Sequence, residues 1–322
     1  MPIRSLDLLD LPSLARYRQD VLSLDSARTL TRGNPLGAAA LLSYLNPRRH
    51  IYTAISTDGA VSFMGQVAQQ YGETFARLSF LAPSAALDGG ETTLLDHLIA
   101  QAGEWGALHL LAEVDEQSMV FKSLRKSGFS MYAWQRVWRL TEALANEGRV
   151  IWQMPSSTDM LAVQSLYSQI VPALIQPVEP MPRQPSGLVC RTEGGLQAYA
   201  ALTCGPAGIF VQPFVLCAAP FDDVRAAPNR PDSGCVPESL AALLREILDR
   251  RGRPVYVCVR SYQAWLESAL EGLGAEASPR QAVMVKHLAA AIKNPQTAHA
   301  VKQPAVSVQP STLSRVDAKH KT

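Results

Sequence analysis

Residues 75–105 read FARLSFLAPSAALDGGETTLLDHLIAQAGEW, a run that contains three consecutive secondary-structure signals. Its first part, FARLSFLA (75–82), is a mostly apolar run of strand length that ends at Pro83. A turn containing Gly89 and Gly90 follows. The helical period then places one set of apolar side chains on a single face of residues 92–105: Leu94, Leu95, Leu98, Ile99, Ala102 and Trp105. The stretch therefore predicts a strand, a glycine turn and an amphipathic helix.

The flanking sequence extends this unit in both directions. Upstream, IYTAIS (51–56) and VSFMGQVAQQ (61–70) predict strands, and a helical region over 11–46 is broken by RGNP at 32–35. Downstream, the elements are a strand at 108–114, a short helix at 118–127 that stops at Gly128, and a last strand at 129–140. With a short strand at 3–6, residues 1–141 read β, αα, βββ, α, β, α, β.

The second half of the chain echoes the first. TDGAVSFMGQV (57–67) aligns with TEGGLQAYAAL (192–202), and TLLDHLIAQAGEWGALHLLAEV (93–114) aligns with SLAALLREILDRRGRPVYVCVR (239–260). The spacing between copies increases within a loop rich in Pro, Asp and Arg at 220–238. The repeat predicts two similar mixed α/β domains, 1–141 and 149–291. The second copy has a Pro-rich loop (177–187) in place of its second helix.

Bulk properties exclude several classes of function. The chain has 322 residues, 47% of them hydrophobic, and a formal net charge of only +2, so neither a nucleic-acid nor a membrane partner is expected. No apolar run reaches the ~18 residues that a bilayer span needs. Asp7 and Asp10 interrupt any apolar run at the N-terminus, so a secretory signal is not expected. A cytoplasmic protein is expected instead. The five cysteines form no CxxC pair, so no metal site is expected. Residues 292–322 are expected to be a disordered tail.

This order of strands and helices resembles the GNAT superfamily of N-acetyltransferases. In that family the strand before the main helix ends in an apolar residue, any residue and Pro, as Leu81-Ala82-Pro83 does here. A loop of the form Arg/Gln-x-x-Gly-x-Gly/Ala follows, and Ala86-Leu87-Asp88-Gly89-Gly90-Glu91 takes its place. Gly128-Phe129 matches the family's later Gly-Phe pair. The resemblance implies two tandem GNAT-like domains, each a central mixed sheet flanked by helices.

The resemblance also implies acetyl-CoA as co-substrate, held by Leu81, Gly89, Gly90, Glu91 and Thr92. Free N–H groups at a helix N-terminus, with the helix dipole, attract a pyrophosphate, and glycines let the backbone approach it. Two positions depart from the family pattern. Ala86 replaces the Arg or Gln that closes over the phosphates, and Glu91 brings a carboxylate where a small residue is usual. The second copy has Cys235-Val236-Pro237 at this place, and Pro237 offers no N–H.

The catalytic groups of the family are less complete here. The position of its general acid, a Tyr four residues before the Gly-Phe, is Leu124 in the first copy and Leu270 in the second. Glu113, on the strand at 108–114, is the candidate general base. The leading interpretation is an N-acyltransferase that transfers an acyl group to an amine of a small molecule or a protein, with its site in the first copy. The alternative is a catalytically silent protein that binds acyl-CoA, a metabolite or a protein partner.

Overall fold

The first copy contains seven strands and three helices within the described residues. The strands are β1 (Ile3–Ser5), β2 (Leu22–Ser23), β3 (Arg49–Asp58), β4 (Val61–Gln70), β5 (Phe75–Ala82), β6 (His109–Asp115) and β7 (Ser130–Leu140). The helices are α1 (Ser26–Arg32), α2 (Thr92–Glu104) and α3 (Met119–Lys126). The computed structural model describes residues 3–7, 10, 17–37, 48–58, 61–141, 152–181, 186–192, 195–216, 235–248 and 252–288. The predicted tail, 292–322, lies outside them.

The second copy repeats the order of elements. Its strands are β8 (Trp152–Gln153), β9 (Gly187–Thr192), β10 (Gly195–Cys204), β11 (Ile209–Val215), β12 (Val255–Arg260), β13 (Glu276–Ala277) and β14 (Gln281–His287). Its helices are α4 (Asp159–Ile170), α5 (Cys235–Leu248) and α6 (Leu266–Gly272). Most of the predicted inserted loop, 220–238, lies outside the described residues. The fold class predicted from the sequence, mixed α/β, is confirmed.

Helix α3 begins and ends at the capping residues in its sequence, and α2 buries its predicted apolar face. The side chain of Ser118 accepts a hydrogen bond from Val120 N (3.2 Å) and caps α3, which ends before Gly128 at φ 82°. The predicted face of α2 is buried, because Leu94, Leu95 and Leu98 are at most 1% exposed. This face packs onto β4 and β3, and its leucines belong to the core of the first copy.

All fourteen strands of the described residues belong to one sheet. Its order is β1-β3-β4-β5-β6-β14-β7-β12-β11-β10-β9-β8, with β2 beside β5 and β13 beside β7. Only β5–β6 and β11–β12 pair in parallel. The two halves meet through exchanged strands, because β14 of the second copy pairs with β6, and β7 of the first copy pairs with β12. Thus the two predicted sheets are joined into one continuous sheet, and we call the β14–β7 junction the seam.

The exchanged strands carry core residues with them. Ala282 and Met284 of β14 are fully buried in the core of the first copy. Trp138 and Leu140 of β7 are buried in the core of the second copy. The division into domains at 141 and 149 stays a prediction, and residues 142–150 are not among those described.

Helix α1 reaches from the first copy onto the second. Ala27 and Leu30 pack against Phe210 and Cys258, and the N–H of Ala207 donates to the carbonyl of Thr31 (2.9 Å). The helical region predicted over 11–46 is therefore interrupted earlier than RGNP, because β2 lies before α1. This short strand positions the candidate site.

Candidate functional site

The predicted phosphate loop uses its own carboxylate as an anion. Gly89 has φ 117°, and its N–H donates to Oε2 of Glu91 (2.9 Å). Helix α2 begins at Thr92, so Glu91 is its N-cap residue rather than its first helical residue. Glu91 is 0% exposed, and its Oε1 has no hydrogen-bond partner among the described residues. The N–H that was predicted for a pyrophosphate is therefore already bonded to a buried carboxylate.

The predicted residues do lie around one loop. Thr92 Oγ1 donates to the carbonyl of Gly89 (3.2 Å), and Gly90 N donates to Oδ1 of Asp88 (3.3 Å). The sequence did not single out Lys126, whose Nζ lies 3.8 Å from where a Cβ on Gly89 would stand. It is a cation at the end of α3, and its ammonium is the group that a side chain on Gly89 would meet first. No spacing rule connects it to the loop.

The strands β5 and β6 open into a groove beside this loop. They pair in parallel at only three positions, Phe75 with His109 through Arg77 with Leu111. Beyond Arg77 the two strands diverge, so their facing N–H and C=O groups need other partners. We call this opening the first groove. Leu81, the strand residue predicted to contact the cofactor, lies on its edge.

Residues 22–24 of the same chain fill the first groove. Leu22 pairs antiparallel with Leu81 and Ser23 with Phe80. Leu24 then bridges both strands, because its N–H donates to Ser79 O (3.0 Å) and its carbonyl accepts from Glu113 N (2.9 Å). The backbone groups that an extended ligand would use are therefore bonded internally.

The filling segment is anchored at both ends. Upstream, the Asp20 carbonyl accepts from Ser84 N (3.1 Å), and its Oδ1 accepts from Ala85 N (3.1 Å). Downstream, the side chain of Asp25 caps α1 by accepting from Arg28 N (3.1 Å). The Leu24 side chain is 1% exposed and belongs to the core of the first copy. The segment is thus an integral part of the sheet.

A corresponding opening occurs in the second copy. Strands β11 and β12 also pair at three positions, from Ile209 with Val255 to Val211 with Val257. Beyond them, the amide of Gln263 donates to Pro213 O (2.7 Å) and accepts from Val215 N (3.1 Å). The side chain is 2% exposed. One internal carboxamide therefore bonds to the β11 edge as a neighbouring strand would.

Glu113, the predicted general base, is buried and already hydrogen-bonded. Its Oε2 accepts from the N–H of Ser26 (2.9 Å), and the residue is 4% exposed. Burial alone raises the pKa of Glu113, but the positive charges of Arg260 and Arg77 and the Ser26 hydrogen bonds outweigh it and hold the pKa below its ordinary value. A carboxylate with a lowered pKa is a weaker proton acceptor at neutral pH. Its environment therefore suits a structural anion.

Glu113 belongs to a buried polar network along the seam that the sequence did not reveal. Arg260 Nε donates to Oε1 of Glu179 (3.2 Å), and both residues are at most 4% exposed. Arg260 also hydrogen-bonds to Gln135, whose Nε2 donates to Oε1 of Gln281 (2.8 Å). These side chains come from both copies, so no local sequence pattern could place them together.

The positions of the family's general acid hold core residues. Leu124 and Leu270 are both 0% exposed, in the first and second cores respectively. Neither position therefore offers a group that could protonate a departing thiolate.

A cavity of about 350 Å³ lies under α1 at the seam, and we call it the seam cavity. One wall is formed by Ser23 of β2 and by Ser26, Thr29 and Leu30 of α1. The three α1 residues are spaced i, i+3 and i+4, so they share one face of the helix. The cavity therefore shares Ser23 with the segment that fills the first groove.

The floor of the seam cavity is the sheet. Arg139 of β7 is directly opposite Tyr256 of β12 on one side and Glu276 of β13 on the other, and all three line the cavity. Val137 and Gln281 also line it, farther along the strands. The cavity lining is therefore mostly apolar by area, with hydroxyl and amide groups and one pair of opposite charges.

Comparison with known proteins identifies the fold. No family model and no curated protein matches the chain. A GCN5-related N-acetyltransferase from Sphaerobacter thermophilus is similar in structure, with a TM-score of 0.51 and 14% identity, covering 89% of this chain and 95% of that one. A tandem GNAT protein from the clavulanic acid biosynthesis pathway gives a TM-score of 0.47 and 15% identity, covering 89% and 98%. An acetyltransferase of the GNAT family from Colwellia psychrerythraea gives 0.44 and 12%, covering 89% and 100%.

The chain therefore has the GNAT fold, as the sequence predicted. Its own order of strands and helices carries that fold twice. Among the described residues, no helix is long and apolar enough to cross a membrane, and no group of three or more His, Cys, Asp or Glu side chains could hold a metal ion.

Proposed function

We propose that this chain is a catalytically silent protein of the GNAT fold that binds a small polar molecule in the seam cavity. The observation that carries the proposal is the filling of the first groove by residues 22–24. An extended ligand there would have to break two hydrogen bonds of Leu24 and remove its side chain from the core. Each bond contributes about 0.5–1.5 kcal/mol net, and burial of a Leu about 1.5–3 kcal/mol.

The candidate cofactor and catalytic residues support the same proposal. A pyrophosphate near Gly89 would meet the buried carboxylate of Glu91, which has its own hydrogen bond to that N–H. Two anions at one helix N-terminus repel each other. Glu113 is bonded to Ser26 and has a lowered pKa, which does not suit a general base.

The second candidate function is the N-acyltransferase suggested by the fold. It would require β2 to leave the first groove, so that acetyl-CoA could contact Leu81, Gly89, Gly90, Glu91 and Thr92, with Glu113 as base and an amine as acceptor. The observation that favours it is the positive φ of Gly89 together with the nearby ammonium of Lys126. A glycine lets a ligand phosphate approach the backbone closely, and the ammonium would attract it.

Calorimetry of the full chain with acetyl-CoA and with CoA tests the choice. We expect no saturable heat, and no release of free thiol when acetyl-CoA is incubated with a mixture of amines. The variant Gly89→Asp adds bulk and negative charge at the loop. Gly106→Asp is its matched control, because Gly106 also has a positive φ, 81°, and lies in the turn after α2. Free-thiol release by wild type that is lost in Gly89→Asp but kept in Gly106→Asp would overturn the silent assignment.

A further inference from the structure

We propose that the seam cavity binds a free α-amino acid as its zwitterion, with the ligand carboxylate on Arg139 and the ligand ammonium on Glu276. This inference rests on the proposed function, because it names the ligand class of the same cavity. It is carried by the charges on the cavity floor, by their spacing and by the uncharged interior.

The two charges face each other without pairing. Arg139 and Glu276 are opposite residues of antiparallel strands, so their side chains stand on the same face of the sheet, with Cβ atoms about 4.5–5.5 Å apart. Both are exposed at the cavity, and neither forms an ion pair in the part of the chain that the structure describes. A guanidinium and a carboxylate of this kind are available to a ligand that brings one charge of each sign.

The spacing of the charges selects the ligand class. An α-amino acid carries its ammonium and carboxylate on one carbon, so the two groups can reach adjacent side chains of opposite sign at once. The guanidinium can bind a carboxylate with two parallel hydrogen bonds. A phosphate or dicarboxylate would leave one anionic group against Glu276. The net charge of the cavity walls is zero, which matches a zwitterion.

The interior of the cavity accepts the ligand side chain. Leu30 and Val137 supply an apolar surface, and Ser26 and Gln281 supply a hydroxyl and an amide. Ser26 Oγ donates to Oε1 of Gln281 (3.1 Å), so these two groups are held in place before a ligand enters. No charged side chain lines this inner part, and the geometry therefore selects amino acids with uncharged side chains.

The short strand β13 positions the backbone of Glu276. It contains only two residues, lies off the main path of the sheet and pairs with β7 alone. Beyond it, Ser278 N donates to Val137 O (2.8 Å), and Val137 N donates to Ser278 Oγ (3.1 Å). These bonds hold Glu276 at a fixed position beside Arg139, as a binding residue requires.

The test is a calorimetric and thermal-shift screen of the full chain against the twenty free amino acids. We expect saturable binding of at least one with an uncharged side chain. Its N-acetyl derivative lacks the cation and its carboxamide lacks the anion, so both should bind at least tenfold more weakly. Arg139→Gln and Glu276→Gln should each weaken binding by about 10- to 100-fold, because each removes a hydrogen bond to a charged group. Arg125→Gln, an exposed change of the same charge on α3, should leave the affinity unchanged.

Three outcomes would each overturn the inference. No free amino acid binds, the zwitterion and its capped derivatives bind equally well, or neither Arg139→Gln nor Glu276→Gln weakens binding. The acetyl-CoA titration and the free-thiol assay report separately on the proposed function. If acetyl-CoA is cleaved to free thiol and an amino acid also binds through Arg139 and Glu276, the silent assignment fails while the ligand class stands. If neither ligand binds, the ligand class fails and the catalytic silence of the first groove stands.

Discussion

The side chain of Glu91 shows how one residue can change the use of a loop. The loop keeps the glycine conformation that brings a backbone N–H to the start of α2. The N–H of Gly89 donates to the carboxylate of Glu91, which is buried. A helix N-terminus favours any anion, whether it comes from a ligand or from the chain. The sequence showed the carboxylate at this place, but not that it turns back onto Gly89.

The first prediction separates the hydrogen bond of Glu91 from its charge. Glu91→Ala should lower the free energy of unfolding by about 1–3 kcal/mol, because it leaves the Gly89 N–H without its partner. Glu91→Gln keeps an acceptor for that N–H and should cost less than Glu91→Ala. Urea unfolding of both variants measures the difference. Equal stability of wild type and Glu91→Ala would show that the hydrogen bond contributes nothing.

The second prediction concerns Glu113 and pH. Its pKa is lower in the folded chain, so the unfolded chain binds the proton more readily, and the charged carboxylate stabilises the fold above its unfolded pKa, ~4.3. This stabilisation is lost as the pH falls through the lower, folded pKa. Glu113→Gln should therefore be less stable than wild type at pH 7, by about 1–2 kcal/mol, since the Ser26 N–H then donates to a neutral acceptor.

The same variant supplies its own check on the cause. As the pH falls from ~4.3 through the lower, folded pKa, Glu113 takes up its proton first in the unfolded and then in the folded chain, and the difference from Glu113→Gln should shrink. Urea unfolding at neutral and acidic pH measures this. A difference that stays constant across the range would mean that the charge of Glu113 does not stabilise the fold.

At the scale of elements, β2 explains both the filled groove and the missed strand. Its two residues and the following Leu24 lie in a region whose apolar spacing predicts helix. A strand this short has no period of its own, so only the facing groove, with unpaired edges of β5 and β6, determines its conformation. By contrast, β4, β5, β7 and α2 were predicted within about two residues, because each is long and buries a regular face.

The third prediction tests this element. Leu24→Ala should lower the free energy of unfolding by about 2–5 kcal/mol, as for a buried Leu. It should also speed amide hydrogen exchange at the end of β6, where Glu113 N donates to Leu24 O. Leu174→Ala is the matched control, because Leu174 is 94% exposed. Exchange at Glu113 as slow in Leu24→Ala as in wild type would mean that β2 does not protect the groove.

At the scale of the whole molecule, the sequence predicted the two copies and not their junction. The repeat at offsets of 135 to 146 residues gives two sets of the same elements. The apolar run of β14 indicates that both faces of this strand are buried. Such a run does not indicate which strands pair with it. The exchange places Arg260 near Glu113 and Glu276 beside Arg139. The seam network and the seam cavity therefore required the tertiary structure.

The exchange leads to a fourth prediction, about cooperativity. Each core contains a strand from the other copy, so neither can lose its packing without exposing edges of its neighbour. Residues 3–288 should unfold in one calorimetric transition. Leu98→Ala in the first core and Leu243→Ala in the second, both 0% exposed, should each lower the midpoint of this transition.

Met284 belongs to the second copy by sequence but pairs with Ala112 of β6 in the first. Met284→Ala should therefore increase hydrogen exchange in β6. Two separate transitions, with Leu98→Ala and Leu243→Ala each moving only one, would show that the copies unfold independently despite the shared sheet.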